Sequence, residues 1–111
     1  MRHMLSALNK VKDALLTVSD NVYHYTAHNQ TDKYIVWAED SESRCIQSDN
    51  RKIQQGIEGT IDYFTKSEND GTVDDIQTAL NTAEIPYRLN SIQYEDETGY
   101  IHYEWVFEVV C

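Results

Sequence analysis

The fold is decided by the segment Tyr100-Ile101-His102-Tyr103-Glu104-Trp105-Val106-Phe107-Glu108-Val109-Val110, in which two kinds of residue alternate. Large apolar side chains fall on one face of the predicted strand, and His102, Glu104 and Glu108 fall on the other. A period of two residues is typical of a strand with one buried face. We therefore predict a long strand whose central Trp105 lies in the core.

The preceding residues predict the partner of this strand. Residues 87–94 form a second strand-like segment, and Glu95-Asp96-Glu97-Thr98-Gly99 predicts a turn with its glycine in the left-handed conformation. A regular register would place Asn90 opposite Trp105 and Arg88 opposite Phe107, which turns polar side chains toward the core. One extra residue at Asn90-Ser91 instead keeps apolar residues opposite Trp105 and Phe107. We therefore predict a hairpin with a β-bulge at this point.

Two helices are predicted by apolar residues at steps of three and four. The first spans residues 3–17, and Leu5 and Leu16 widen its apolar stripe of Met4, Leu8, Val11 and Leu15. The second begins at Thr72, read as an N-cap with Asp75 three residues on. Pro86 ends it by residue 85. Its buried stripe consists of Val73, Ile76, Leu80 and Ala83.

Further strands are predicted between the two helices. They cover residues 22–27, 33–39, about 44–47 and 53–66. The polar residues 28–32 are typical of a hairpin loop, and the second strand, apolar on both faces, is expected near the sheet centre. Gly56 and Gly59 predict a bulge or bend in the last of these strands.

Together these elements predict one α+β domain over residues 1–111. Its antiparallel sheet of about five strands is packed by an N-terminal helix and one internal helix, in the order α-β-β-(β)-β-α-β-β. The chain has 111 residues, with 41% hydrophobic and 11% aromatic residues. This is enough for one core and is not the composition of a disordered chain.

Charge and cysteine content restrict the class of protein. The chain has 19 Asp and Glu against 9 Lys and Arg, a formal net charge of −10. Such a charge disfavours general binding to nucleic acids or anionic membranes. No apolar run has the length of a membrane helix, and the first residues lack the pattern of a signal peptide. Two cysteines, Cys45 and Cys111, are expected to be free thiols in a cytoplasmic protein.

Two patterns in the sequence could suggest a metal site. His24 and His28 fall on a strand and its loop, so we do not expect them to converge with His102 on zinc. Residues 66–77 place Lys and Gln at ligand positions of a calcium loop, which excludes that site.

Two pairs of side chains could suggest a catalytic site, but neither has a geometry that supports one. Glu104 and Glu108 would lie about 13 Å apart along a strand, too far for a glycosidase pair. Cys45 and His102 have nothing that fixes them together. We expect no catalytic residue, cofactor or metal.

Several segments together resemble a known family. They are Gly59-Thr60-Ile61-Asp62-Tyr63-Phe64-Thr65-Lys66, the helix at 73–80, residues 86–95, the closing Thr98-Gly99-Tyr100-Ile101-His102-Tyr103-Glu104-Trp105, and the earlier residues 34–39. The pattern is similar to small tail proteins of siphophages and prophages of Gram-positive bacteria, of the tail terminator or tail-to-head joining type. The similarity spans most of the chain and rests on strand patterns.

The resemblance implies a hexameric ring at the head-proximal end of the tail tube. Its partners would be further copies of the chain, the tail tube protein and the head completion protein. DNA would pass through without specific binding, and there would be no membrane partner. The protein would assemble in the host cytoplasm and then reside in the virion tail. Acids proposed to face the lumen or a partner are Glu95, Asp96, Glu97, Glu104 and Glu108.

Two other classes stay open. A small acidic protein could mimic DNA and inhibit a nuclease or repressor, although the acids here are interleaved with apolar strand residues. A generic protein-binding module is the third class. Self-association distinguishes a ring subunit from a mimic.

Overall fold

The structure is a computed structural model that describes residues 3–43 and 56–110. In chain order its elements are α1 (His3–Leu16), β1 (Val22–His24), β2 (Tyr34–Glu42), β3 (Gly56–Thr65), α2 (Thr72–Thr82), β4 (Tyr87–Glu95) and β5 (Tyr100–Val110). The predicted α+β class with an N-terminal and an internal helix is confirmed. The strand predicted at 44–47 and the predicted start of another at residue 53 lie outside the described residues.

The five strands form one sheet in the order β1-β2-β3-β5-β4. The pairs β2–β3, β3–β5 and β5–β4 are antiparallel. β1, however, runs parallel to β2, with Val22 opposite Ile35 and His24 opposite Trp37. The predicted hairpin through residues 28–32 is therefore wrong, and the sheet is mixed.

The connection from β1 to β2 explains how a short segment produces a parallel pair. Tyr25 follows β1 with φ 75°, a left-handed conformation that turns the chain out of the strand. Farther along the connection, the Tyr100 hydroxyl of β5 donates to the carbonyl oxygen of Asp32 at 2.8 Å. The carbonyl oxygen of Gln30 lies 3.3 Å from the same hydroxyl. These contacts hold the connection against the end of the sheet.

Both helices pack on the same face of the sheet. Val11 and Leu15 of α1 and Ile76 of α2 join Trp105 of β5 in one buried cluster. Trp105 is 0% exposed, which confirms its predicted burial, and its indole N–H donates to Gln77 Oε1 at 3.0 Å. The predicted stripe of α1 is too wide, because Met4, Leu5 and Leu16 are exposed.

The β4–β5 hairpin has the predicted register. Leu89 lies opposite Trp105 and Tyr87 opposite Phe107, and the register shifts between Leu89 and Ser91. The predicted bulge is confirmed. Its physical cause is the one that the sequence indicated: without the extra residue, the polar residues of β4 would face the helices.

Gly59 has a packing role and does not mark a bulge in its own strand. The register of β3 with β5 is continuous, and the irregularity lies in β2, between Glu39 and Ser41. A side chain at position 59 would meet the backbone of β2 and lie 2.8 Å from the ring tip of Phe107. Glycine is therefore required by close approach of two strands and a ring.

The start of α2 is stabilised by Asp70, and the predicted N-cap role of Thr72 is wrong. The N-cap residue is Gly71, which has no side chain. Asp70 Oδ1 accepts the backbone N–H of Thr72 at 2.9 Å, while Oδ2 accepts the hydroxyls of Tyr63 at 2.5 Å and Thr65 at 2.6 Å. The carboxylate thus ties the helix to β3.

Candidate functional site: the acidic face of the sheet

The sheet face opposite the helices gathers carboxylates from three strands. Alternation places the core residues of β3 and β5 toward the helices, so the intervening residues share the other face. The acids on that face are Glu58, Asp62, Glu95, Glu104 and Glu108. Three of the five acids proposed from the sequence therefore lie on one surface, and these are Glu95, Glu104 and Glu108.

His102 lies at the centre of this face. Its Nε2 is 2.7 Å from Asp62 Oδ1, and its Nδ1 is 3.5 Å from Glu95 Oε2. The hydrogen bond to Asp62 raises the pKa of His102, burial opposes the rise, and the charges of Glu95 and Glu104 add to it. When protonated, His102 offsets part of the local negative charge, and its two ring nitrogens link β5 to both of its neighbours.

Glu104 and Glu108 are held along β5 by different partners. Glu104 lies opposite Asp62 of β3 and accepts a hydrogen bond from the Asn90 side-chain amide at 3.0 Å. Glu108 lies opposite Glu58 and accepts a hydrogen bond from the Ser43 hydroxyl. Both side chains are half-buried, so their positions are fixed by the sheet and these bonds.

The hairpin turn places the other proposed acids at one end of the sheet. Gly99 adopts φ 79° and donates its N–H to the Glu95 carbonyl at 2.8 Å. Thr98 Oγ1 lies 3.1 Å from Glu95 Oε1, which fixes that carboxylate beside the face. Asp96 and Glu97 are exposed at the tip. These two acids do not lie on the acidic face, but they add negative charge at the end of the sheet next to it.

A row of rings borders the acids, and sequence reasoning missed it. Tyr34, Phe64 and His102 stack across β2, β3 and β5, with centroids 4.6 Å apart for Tyr34–Phe64 and 4.2 Å for Phe64–His102. A cavity of about 330 Å³ lies between this row and the β1–β2 connection at Tyr25 and Thr26. The row could have been predicted from aromatic residues at matching positions of neighbouring strands. That prediction requires the register of the strands, which the sequence alone did not provide.

The arrangement forms no metal site among residues 3–43 and 56–110. No group of three or more His, Cys, Asp or Glu there could hold a metal ion. His24 lies 2.7 Å from Glu39, while His102 bonds Asp62, so the two histidines belong to separate clusters. Cys45, considered with His102, lies outside the described residues. In the same part of the chain, no helix is long and apolar enough to cross a membrane.

Known proteins resemble this chain in fold and not in sequence. No protein-family model matches the chain, and no curated protein matches its sequence. Among solved structures, the chain is similar to one in the "Virion of native gene transfer agent (GTA) particle", with a TM-score of 0.53 and 16% identity. The match covers 95% of this chain and 91% of that chain. The two chains thus share a fold over nearly their whole lengths.

Proposed function

We propose that this chain is a structural, non-enzymatic protein of a phage-like particle. More specifically, we propose a tail terminator or head–tail joining subunit that forms a ring, hexameric by the family resemblance, at the head-proximal end of the tail tube. The observation that carries the proposal is the end-to-end likeness to a chain of a virion. The strand patterns that resemble tail terminators support the same conclusion independently.

The sheet supplies surfaces that suit a ring. A closed ring is built from a heterologous contact, in which two different surfaces of each subunit meet. In the described part of the chain, β1 and β4 are the outer strands, and each has one unpaired edge. The edges lie at opposite sides of the subunit, so neighbours on either side leave the acidic face of the sheet free.

The acidic face suits the lining of a passage for DNA. Carboxylates repel phosphate, and the five acids of this face outnumber Arg88, which lies on the same face opposite Val106. A passage lined by this face would therefore let DNA slide. We assign Glu95, Glu104 and Glu108 to the lumen and the Asp96-Glu97 turn to its rim. In this arrangement the helices lie outside, and the tail tube and head completion proteins contact the two ends of the ring.

A second candidate function draws on the same face. Five carboxylates on one sheet surface could present charge to a DNA-binding protein, as a DNA mimic does. The mimic would act as a soluble inhibitor and would not be built into particles.

Location within particles tests the proposal. Particles carrying a tagged copy of this chain are labelled with gold and viewed by electron microscopy. We expect label at the junction of head and tail. Label elsewhere on the particle contradicts the terminator role, and particles without label favour the mimic.

Charge reversal tests the lumen assignment separately. Glu104→Lys with Glu108→Lys should leave heads joined to tails but reduce DNA delivery, because phosphate would be retained in the passage. The matched control is Glu68→Lys with Glu84→Lys, which makes the same charge change at exposed positions off this face. Equal delivery by the two double variants contradicts the assignment.

A further inference from the structure

The outer strand β4 leaves a long edge of the sheet open. Among residues 3–43 and 56–110, β4 pairs only with β5. Proteins normally protect an open edge with lysine, proline, a bulge or a very short strand. β1, at the other edge, has three residues, whereas β4 has nine, with neither lysine nor proline and no charge from Leu89 to Tyr94. The protection of this edge therefore rests on the bulge at Asn90 alone.

The helix side of β4 is apolar, and the helices leave it uncovered. Leu89, Ile92 and Tyr94 lie on this side, yet they are 44%, 56% and 64% exposed. A strand added at the edge of β4 would gain backbone hydrogen bonds and bury these side chains at the same time.

The bulge makes β4 symmetric about Ile92. Asn90 has no partner in the register with β5 and adds nothing to the spacing of the other residues. Measured along β5, Leu89 and Tyr94 therefore lie two residues on either side of Ile92, on the same face of the sheet. The apolar side of β4 has the same arrangement when it is read in either direction.

The charges of β4 follow the same symmetry with opposite signs. Measured along β5, Arg88 and Glu95 lie three residues on either side of Ile92, both on the acidic face. Two copies of β4 placed antiparallel about Ile92 therefore bring opposite charges together at two positions. Opposite charges directly across two strands stabilise their pairing.

We propose that two copies of this chain pair antiparallel through β4, about a two-fold axis at Ile92. Each Leu89 then lies opposite Tyr94 of the second copy, and each Arg88 lies opposite Glu95 of the second copy. The contact is isologous, because both copies use the same surface. It joins the two five-stranded sheets into one sheet of ten strands, with all the helices on one side.

Face and charge select this register over its neighbours. A shift of one residue places the apolar residues of one strand opposite polar residues of the other. A shift of two residues keeps apolar residues opposite each other. It moves Arg88 and Glu95 opposite uncharged residues or past the end of β4. Only the register centred at Ile92 satisfies both the apolar and the charged side chains.

The dimer goes beyond the proposed ring function and does not depend on it. It occupies the open edge of β4, which is one of the two edges available for a ring contact in the described part of the chain. A subunit cannot use this edge for both contacts at once. Dimers would therefore have to separate before their subunits enter a ring through β4.

Single-cysteine cross-linking tests the register. In a background with Cys45→Ser and Cys111→Ser, Leu89→Cys protein is mixed with Tyr94→Cys protein and treated with dibromobimane, a short reagent that joins neighbouring thiols. We expect a covalent dimer from the mixture, because the two positions lie opposite each other. Either protein alone is the matched control, since its two thiols would lie four residues apart along the strands, or about 13 Å. A yield from the mixture no higher than from either protein alone overturns the proposal.

Self-association provides a second measurement. A native protein that sediments as a monomer at about 1 mM overturns the proposal. Ile92→Asp should weaken association at least about tenfold, because it brings two carboxylates together at the two-fold axis. The control Leu5→Asp makes the same kind of change on α1, at a residue that is 57% exposed, and should change association little. Equal effects of the two variants overturn the contact.

A charge swap tests the pairs of Arg88 with Glu95. Arg88→Glu alone should weaken association about fivefold, since it places like charges opposite each other at two positions. Adding Glu95→Arg should restore association. The matched control adds Glu68→Arg, at an exposed position outside β4, which corrects the net charge without restoring the pairs. Equal recovery by the two double variants overturns the proposal.

The gold-labelling experiment decides the proposed function separately from the dimer. Label at the head–tail junction together with a monomeric free protein would reject the dimer and retain the proposed function. A dimer in solution together with label elsewhere on the particle would retain the dimer and reject the proposed function.

Discussion

Replacing Asp70 by asparagine should destabilise the domain by removing the acceptor that ties α2 to β3. In the native protein, Oδ2 accepts the hydroxyls of Tyr63 and Thr65 at 2.5 and 2.6 Å. Asparagine preserves one oxygen for the Thr72 N–H but presents an NH₂ group to the hydroxyls. Hydrogen bonds to a charged group contribute about 1.5–3 kcal/mol each, and hydroxyls can rotate toward other acceptors. We therefore expect a total loss of about 2 kcal/mol at neutral pH.

The same variant should change the pH dependence of stability. Burial alone would raise the pKa of Asp70, but hydrogen bonds from Thr65, Tyr63 and Thr72 together lower it well below its ordinary value. Stabilisation from a lowered pKa is present above the unfolded value of about 3.9 and is lost as the pH falls toward the folded value. The difference between native protein and variant should therefore shrink as the pH falls from about 6 to about 3.

Urea titrations followed by tryptophan fluorescence measure both effects. Glu68→Gln, which neutralises an exposed carboxylate in the same loop, is the control and should change the free energy of unfolding by less than about 0.5 kcal/mol. A loss for Asp70→Asn as small as that of the control would refute the reasoning. So would a difference that stays constant over the whole pH range.

Three further predictions follow from buried or paired side chains. Trp105→Ala should cost about 3–5 kcal/mol in denaturant titration, and a loss below about 1 kcal/mol would contradict the core assignment. Gly59→Ala should cost about 1–3 kcal/mol, because the added methyl group meets β2 and the Phe107 ring; an unchanged melting temperature would contradict this packing. The His102 imidazole should titrate by NMR above about pH 6.5, and Asp62→Asn should lower its midpoint. Because the pKa of His102 is raised, its contribution to stability is present below about pH 6.5 and is lost as the pH rises through the folded pKa. A midpoint that does not respond to Asp62→Asn would contradict the hydrogen bond.

The β4–β5 hairpin was predictable because its information is local. Alternation along β5 fixed the buried face, and the same requirement placed the bulge of β4 near Asn90 and Ser91. The parallel pairing of β1 was not predictable in this way, since a strand pattern carries no direction. It depends on Tyr25 in a left-handed conformation, which sequence rarely indicates for an aromatic residue.

The candidate site was predicted only in part for a similar reason. Alternation placed Glu104 and Glu108 on one face, but the contributions of Asp62 and Glu58 required the register of β3 against β5. Leu16 was predicted to lie in the apolar stripe of α1, but it is exposed. Periodicity gives the angular position of a residue around the helix, and it does not give the width of the surface that packs against the helix.

Electron microscopy of particles from a phage or prophage that lacks this gene tests the central claim most directly. The proposed terminator role predicts tails of uncontrolled length or tails without heads, with restoration when the intact gene is supplied. Tails of normal length joined to heads would contradict the terminator role and favour the DNA-mimic alternative.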